Sequence, residues 1–197
     1  MAEAATALLA LWNDVDARCD AEYNDWHVRE HVPERLTVPG LLWGLRFRRL
    51  GAGAMPLYLT LYGLRDEAVL DSEAYLALLQ HPTPASREMR PAMHNIARWV
   101  CRLHELAGID RAERLAVKTF DTRATGARPA VDAFVGGGDR GRLVAERSTQ
   151  AKGLPWLQQG QAFDIAGDLL ACVEAGLDAP AGLGVECYQR LWLAAAG

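Results

Sequence analysis

No two of the four cysteines in this 197-residue chain fall within a C-x-x-C spacing: Cys19, Cys101, Cys172 and Cys187 stand singly. A disulfide scaffold needs crowded cysteines, so four isolated ones read as buried thiols in a reducing compartment. A basic excess is also lacking. The 21 Lys and Arg face 25 Asp and Glu, for a net charge of -4, so the chain lacks the cationic footprint of a nucleic-acid-binding protein. No window approaches 18 uninterrupted apolar residues, and the apolar start at residues 4–12 has no basic flank and runs into Asn13-Asp14-Val15-Asp16. That pattern argues against a membrane span and a secretory signal, and a cytoplasmic protein is expected.

What is present is core material: 50% of the residues are hydrophobic and 23% charged, enough to bury a substantial interior and too apolar for disorder. Residues 7–14 read as a strand, and residues 20–31 as a helix with acids in its first turns, where they suit the dipole. Pro33 predicts a kink or restart close to His31. Val38-Pro39-Gly40 is a turn, followed by a strand over 41–50 and a hairpin connection at 51–54. In the next strand, 57–64, Leu57, Leu59 and Leu61 alternate with Tyr58, Thr60 and Tyr62, which places leucines on one face and hydroxyls on the other. Asp71 or Ser72 caps a helix to about residue 80. Thr83-Pro84 starts another that ends near His94, and a fourth strand covers 97–106.

The order β-α-β-β-α-β is that of a split βαβ, ferredoxin-like unit. Strand-like runs at 115–121, 143–149, 169–175 and 186–193, with a helical stretch near 129–135, suggest a degenerate second copy beyond a junction at Gly108-Ile109-Asp110-Arg111. The expected fold is therefore α+β: a ferredoxin-like unit over 1–108 and a degenerate one over 109–197, closing into an intramolecular α/β barrel.

Glu22-Tyr23-Asn24-Asp25-Trp26, Glu30-His31-Val32-Pro33-Glu34-Arg35-Leu36 and Val38-Pro39-Gly40 resemble the EthD-like branch of the dimeric α/β-barrel superfamily. Residues 56–62, 71–75 and 82–84 fit the same likeness, which covers about residues 5–106. The resemblance implies a ferredoxin-like unit that pairs sheet to sheet, usually between two chains, with a small-molecule cleft between sheet and helices. It implies no single reaction, because relatives include cyclases, dehydratases, isomerases, cofactorless monooxygenases and haem proteins. His27 departs from the pattern. Similar sequences carry an aromatic there, often Tyr, so a role for His27 is not inherited.

On a helical wheel, Tyr23, Trp26, His27, Glu30, His31 and Glu34 fall within about 140° of the first helix, with Val28 and Val32 pointing away. In one reading Tyr23 and Trp26 pack on the sheet while Glu30 and His31 cap backbone or pair with Arg46 or Arg48. In the other, the face lines a ligand cleft: His31 is the general acid or base, Glu30 orients it or binds a substrate hydroxyl, and Tyr23, Trp26 and His27 contact substrate. Tyr58 and Tyr62, two apart on one strand face, would donate to a developing enolate or phenolate, or else pack as amphipathic rings at the seam.

His27-Val28-Arg29-Glu30-His31 also satisfies H-x-x-E-H, an inverted zinc-protease pattern, but a five-residue match recurs by chance and Pro33 interrupts the helix. No metal or other cofactor is expected. His81 and His94 read as loop or helix-end residues and His104 as a strand residue; haem ligation by one of them has no C-x-x-C-H to support it. Residues 136–141, Gly136-Gly137-Gly138-Asp139-Arg140-Gly141, lack the Lys-Ser/Thr of a phosphate loop and read as a turn. Lys152-Gly153-Leu154-Pro155-Trp156-Leu157 is a turn expected to lay Trp156 over an end of the barrel. The resulting expectation is a small-molecule protein, for an aromatic or polyketide-like ligand, with cofactor-independent acid-base chemistry of lyase or isomerase type. A non-catalytic binding or sensing protein with the same cleft, and a haem or metal protein, are the alternatives. The partner is a small organic molecule, with no nucleic acid or membrane, in a monomer or homodimer.

Overall fold

Alternation along the strands decides the architecture, because every second side chain is apolar and large. In the computed structural model, which describes residues 3–136, 140–149, 153–176 and 184–196, β1 (Ala7–Val15) turns Leu8, Ala10 and Trp12 inward. β2 (Leu41–Arg49) contributes Leu45 and Phe47 to the same interior, and β3 (Tyr58–Leu64) contributes Leu59 and Leu61. β4 (Met93–Ala107) adds Trp99 and Cys101, with the Trp12 and Trp99 rings edge to face at 5.7 Å. β5 (Arg114–Phe120), β6 (Arg142–Arg147), β7 (Leu169–Glu174) and β8 (Glu186–Ala195) complete one buried cluster through Leu115, Leu143, Leu170 and Tyr188. Full burial of each such side chain is worth about 1.5–3 kcal/mol.

The strands hydrogen-bond in a closed ring, β1-β3-β2-β8-β5-β7-β6-β4, with every pairing antiparallel. The structure is thus a mixed α+β fold built on a closed eight-stranded barrel with few helices. The first four strands run β4-β1-β3-β2 around the ring, and the last four repeat that order as β8-β5-β7-β6. Closure leaves the outward faces of the strands to be covered by helices.

Over the first half lie α1 (Asp20–Trp26), a π-helical turn (His27–His31) and α2 (Val32–Leu36). The break expected at Pro33 takes the form of that wide turn: proline offers no N–H and its ring clashes with the carbonyl four residues back, and the widened segment immediately before it absorbs both. The extra residue rotates everything after it. Val32, expected to point away from the sheet, is fully buried against Leu9, Leu41 and Tyr62. It sits low because Gly44 has no Cβ, which would lie 2.9 Å from Val32 Cγ1. Gly40, with φ of +91°, makes the turn into β2.

Ser72 caps α3 (Glu73–Gln80) by accepting from the Tyr75 N–H, and Thr83 caps α4 (Pro84–Met89) by accepting from the Ser86 N–H. The latter helix stops well short of His94 because Pro91 follows, so β4 begins at Met93 and His94 is a strand residue, its Nδ1 4.0 Å from Asp16 Oδ1. Over the second half a single helix, α5 (Ala127–Val135), packs Val131 and Val135 against Val144, Leu169 and Val173. Residues 137–139 of the glycine-rich loop and Lys152 lie outside the described residues. All four cysteines are free; Cys101 and Cys172 are buried, whereas Cys19 and Cys187 keep partial exposure. No helix among the described residues is long and apolar enough to cross a membrane.

Candidate functional site

A narrow cleft, with a cavity volume of about 50 Å³, opens between the first-half helices and the outer face of β1 and β3. Sequence periodicity explains its walls. Leu11 and Asn13 are the outward residues of β1 and Thr60 that of β3, while Trp26, His27 and His31 descend from α1 and the π turn, and Arg35 from α2. Tyr75 and Leu79 of α3, Arg90, Met93 and Ile96 form the far side. Trp12 also reaches the cleft, where the β1–β4 register slips between Trp12 and Asp14.

The π turn brings the aromatic and imidazole rings into one cluster, tilted or edge to face. Trp26 lies 4.5 Å from His31 and 5.7 Å from His27 between ring centroids, and the two imidazoles are 4.9 Å apart. Tyr23 stands behind them, fully buried, 5.4 Å from His27, its hydroxyl donating to Asn13 Oδ1 at 2.9 Å. Burial pushes the Tyr23 hydroxyl pKa up. Burial also holds both imidazoles neutral. His27 is driven well below its ordinary pKa first by desolvation, then by Arg46, His31 and Arg35; His31 by desolvation, then by Arg35, Arg90 and Arg46. His31 keeps some surface open to the cleft, yet its Nδ1 is out of solvent reach.

Three polar atoms of the cleft-lining residues are buried with no hydrogen-bond partner among the described residues, His27 Nδ1, His31 Nδ1 and Thr60 Oγ1; the Trp12 indole N–H is also unpartnered, but its ring packs in the barrel interior. Such orphans are rare, because each costs about 1–3 kcal/mol of desolvation when nothing replaces water. Two ring nitrogens and a hydroxyl at an aromatic-walled slot form a set that a flat ligand with oxygen functions would satisfy.

The expected site residues divide in two. Trp26, His27 and His31 line the cleft together. Tyr23, Glu30, Tyr58 and Tyr62 do not line it. Glu30 accepts from Trp26 Nε1 at 3.3 Å and from the Thr83 hydroxyl, so it ties α1 to α4 and orients no histidine. Tyr58 hydroxyl donates to Asp20 and accepts from Asn24 Nδ2 at 2.8 Å. Tyr62 is buried under α2 with its hydroxyl unpartnered, its pKa raised by burial. Arg46, 0% exposed, pairs with neither Glu30 nor His31; it donates to Asn24 Oδ1 at 2.7 Å and stacks on Tyr58 and Tyr23 at 4.5 and 4.9 Å. Among the described residues, no group of three or more His, Cys, Asp or Glu side chains could hold a metal ion.

Arg35, Tyr75, Arg90, Leu154 and Trp156 line the cleft without having been expected there. Trp156 does not cap a barrel end. The segment around it runs along β4, where Phe163 N–H donates to Ile96 carbonyl and Gln161 side chain donates to the Arg90 and Met93 carbonyls, so Trp156 packs on the outer cluster and walls the cleft from the second half. Thr60 was legible as one of the hydroxyl-face residues of β3. No signal marked Arg90, because its place depends on the turn that Pro91 forces after α4.

No family model matches the chain, and no curated protein matches it. Its fold is similar to a solved structure described as an anthrone oxidase-like protein, with a TM-score of 0.57 and 13% sequence identity, covering 97% of this chain and 93% of that one. At that identity the likeness is one of fold. What the two share is the architecture, a mixed α+β barrel.

Proposed function

We propose that the cleft binds a small, planar aromatic molecule with oxygen functions, of the polyketide kind, and that His31, with His27 beside it, moves a proton on it without a cofactor. The observation that carries this is the convergence of three unpaired buried polar atoms, His27 Nδ1, His31 Nδ1 and Thr60 Oγ1, on an aromatic-walled slot. A neutral imidazole is the form that can accept a proton, and burial keeps both histidines in it. On a ketone with an acidic C–H, an imidazole nitrogen takes the carbon-bound proton, the electron pair moves to the carbonyl oxygen, and the Thr60 hydroxyl donates to the developing enolate. Return of the proton to oxygen completes an isomerase-type tautomerisation; expulsion of a β-substituent from the enolate would make the same step lyase-type.

Anthrone is a suitable probe, because it is a fused-ring ketone of this chemistry and the chain shares a fold with an anthrone oxidase-like protein. In deuterated buffer the protein should quench its own tryptophan fluorescence on adding anthrone and should accelerate exchange of the ketone's methylene protons, and His31→Ala should remove the acceleration while leaving the quenching. A second reading, binding without turnover, is favoured by one observation: Glu30 is engaged by Trp26 and Thr83, so no carboxylate orients an imidazole. Quenching with no exchange above buffer would select it. The loss of both would refute the cleft as a site for such a ligand.

The EthD-like kinship and the tandem ferredoxin-like reading, with units over 1–108 and 109–197, belong to the same proposal. Their support is the repeated strand order and the matched helix segment. Because the ring closes within one chain, no sheet is left to pair with a partner, and light scattering should give a monomer of 21.6 kDa.

A further inference from the structure

The cleft described above carries no negative charge of its own. None of the residues lining it is an Asp or Glu, whereas two are arginines, Arg35 and Arg90. The two guanidinia are not equivalent. Arg35 is 6% exposed and donates to Glu34 Oε2 at 2.8 Å, so its charge is already balanced by a half-buried carboxylate. Arg90 has no carboxylate partner among the described residues. Its hydrogen bond to protein is a long one, 3.4 Å from Nη2 to the Leu79 carbonyl, and its guanidinium lies 4.8 Å above the centroid of Trp156. A guanidinium held over an indole, with one long hydrogen bond to a carbonyl, keeps N–H donors available to a carboxylate or phenolate.

Resting on the reading of the cleft as an aromatic-ligand site, we infer that its ligand is an anion: an aromatic carboxylate or phenolate whose charged oxygen is held by Arg90, with its ring against the Trp26, His27 and His31 cluster. The imidazoles on either side cannot compete for that role, because a neutral histidine adds no charge. Arg90 is a specificity-determining residue. It decides which aromatic molecules enter, and Trp156, supplied by the second half of the chain, decides where its plane sits.

The test uses the full-length protein and two ligands with the same rings, 2-naphthoate and the neutral ketone 2-acetylnaphthalene, titrated at pH 8 against tryptophan fluorescence and by calorimetry. The expected result is at least a 10-fold preference for naphthoate, weakened by added salt, and a loss of about 10- to 100-fold in naphthoate affinity in Arg90→Gln, with the ketone changed by less than about 3-fold. Arg90→Lys should recover part of the naphthoate affinity. Equal or tighter binding of the ketone by the unmodified protein overturns the anion inference and leaves the cleft as an aromatic site, as does an equal loss of both ligands in a folded Arg90→Gln protein. Failure of both ligands to bind the unmodified protein at millimolar concentration overturns the cleft reading and this inference together.

Discussion

The outer wall of the barrel is covered by a helix in each half, and the two covers differ in what they leave unpaired. Under α1, the π turn and α2, the cleft holds His27 Nδ1, His31 Nδ1 and Thr60 Oγ1 without partners among the described residues. Beside α5 runs a groove of comparable position in the other half, lined by Val131, Val135, Val144 and Leu169 with His104, Glu105, Arg128, Asp132 and Glu146. There the polar groups are matched to one another. His104 Nε2 is 2.8 Å from Glu146 Oε2, Arg128 is 3.6 Å from Asp132, and Arg142 bonds Glu105. Concavity is common to both. What separates a site from a seam is that the first half buries polar atoms and leaves them for something else to satisfy.

The comparison is most exposed to kinetics. His31→Ala should lower protein-catalysed proton exchange on the aromatic ketone by about 10²-fold or more, while changing unfolding free energy by no more than about 1 kcal/mol, because the ring borders an open cleft. His104→Ala, in the groove of the second half, should leave the rate unchanged. If the two variants behave alike, or if His31→Ala unfolds the protein with activity per folded molecule intact, the distinction collapses and His31 is structural.

Acidification separates the halves next. In the folded state both cleft histidines have pKa values well below 6.5, whereas in the unfolded chain they titrate near 6.5, so as pH falls below that value the unfolded state takes up protons that the folded state refuses. Stability is fully present above about pH 6.5 and falls by about 1.4 kcal/mol per pH unit per histidine below it. Urea unfolding between pH 5 and pH 8 should show this slope, and His27→Phe should remove about half of it.

A smaller effect is expected at the staple that sets the cleft's roof. Thr83→Val loses both the cap on Ser86 N–H and the bond to Glu30, which should cost about 1–2 kcal/mol in denaturant unfolding. His27→Tyr should be milder for exchange than His31→Ala, since a ring at that position keeps the contacts with Tyr23 and Trp26. Smallest of all, Glu146→Gln should shift stability by less than about 0.5 kcal/mol, as expected for an exposed pair screened by water. A larger cost there would mean that the α5 groove is more than a solvated seam.

Most of the barrel was readable in the chain. Alternating apolar residues in β1 and β3, the Ser72 and Thr83 caps, the Val38-Pro39-Gly40 turn and the four later strand runs follow from local propensity and period, which do not depend on distant partners. The Tyr23, Trp26, His27 and His31 cluster was legible too, as one face of one helix. Tertiary structure decided the rest. The π turn at residues 27–31 shifted the helical phase, so Val32 went inward and Glu30 went to Thr83, and no periodicity computed at a constant angle per residue contains that shift. Arg90 and Trp156 are 66 positions apart and meet only because the segment after β6 runs back along β4 to lie against the first half. Such contacts are set by chain closure over the whole barrel, and local sequence carries no record of them.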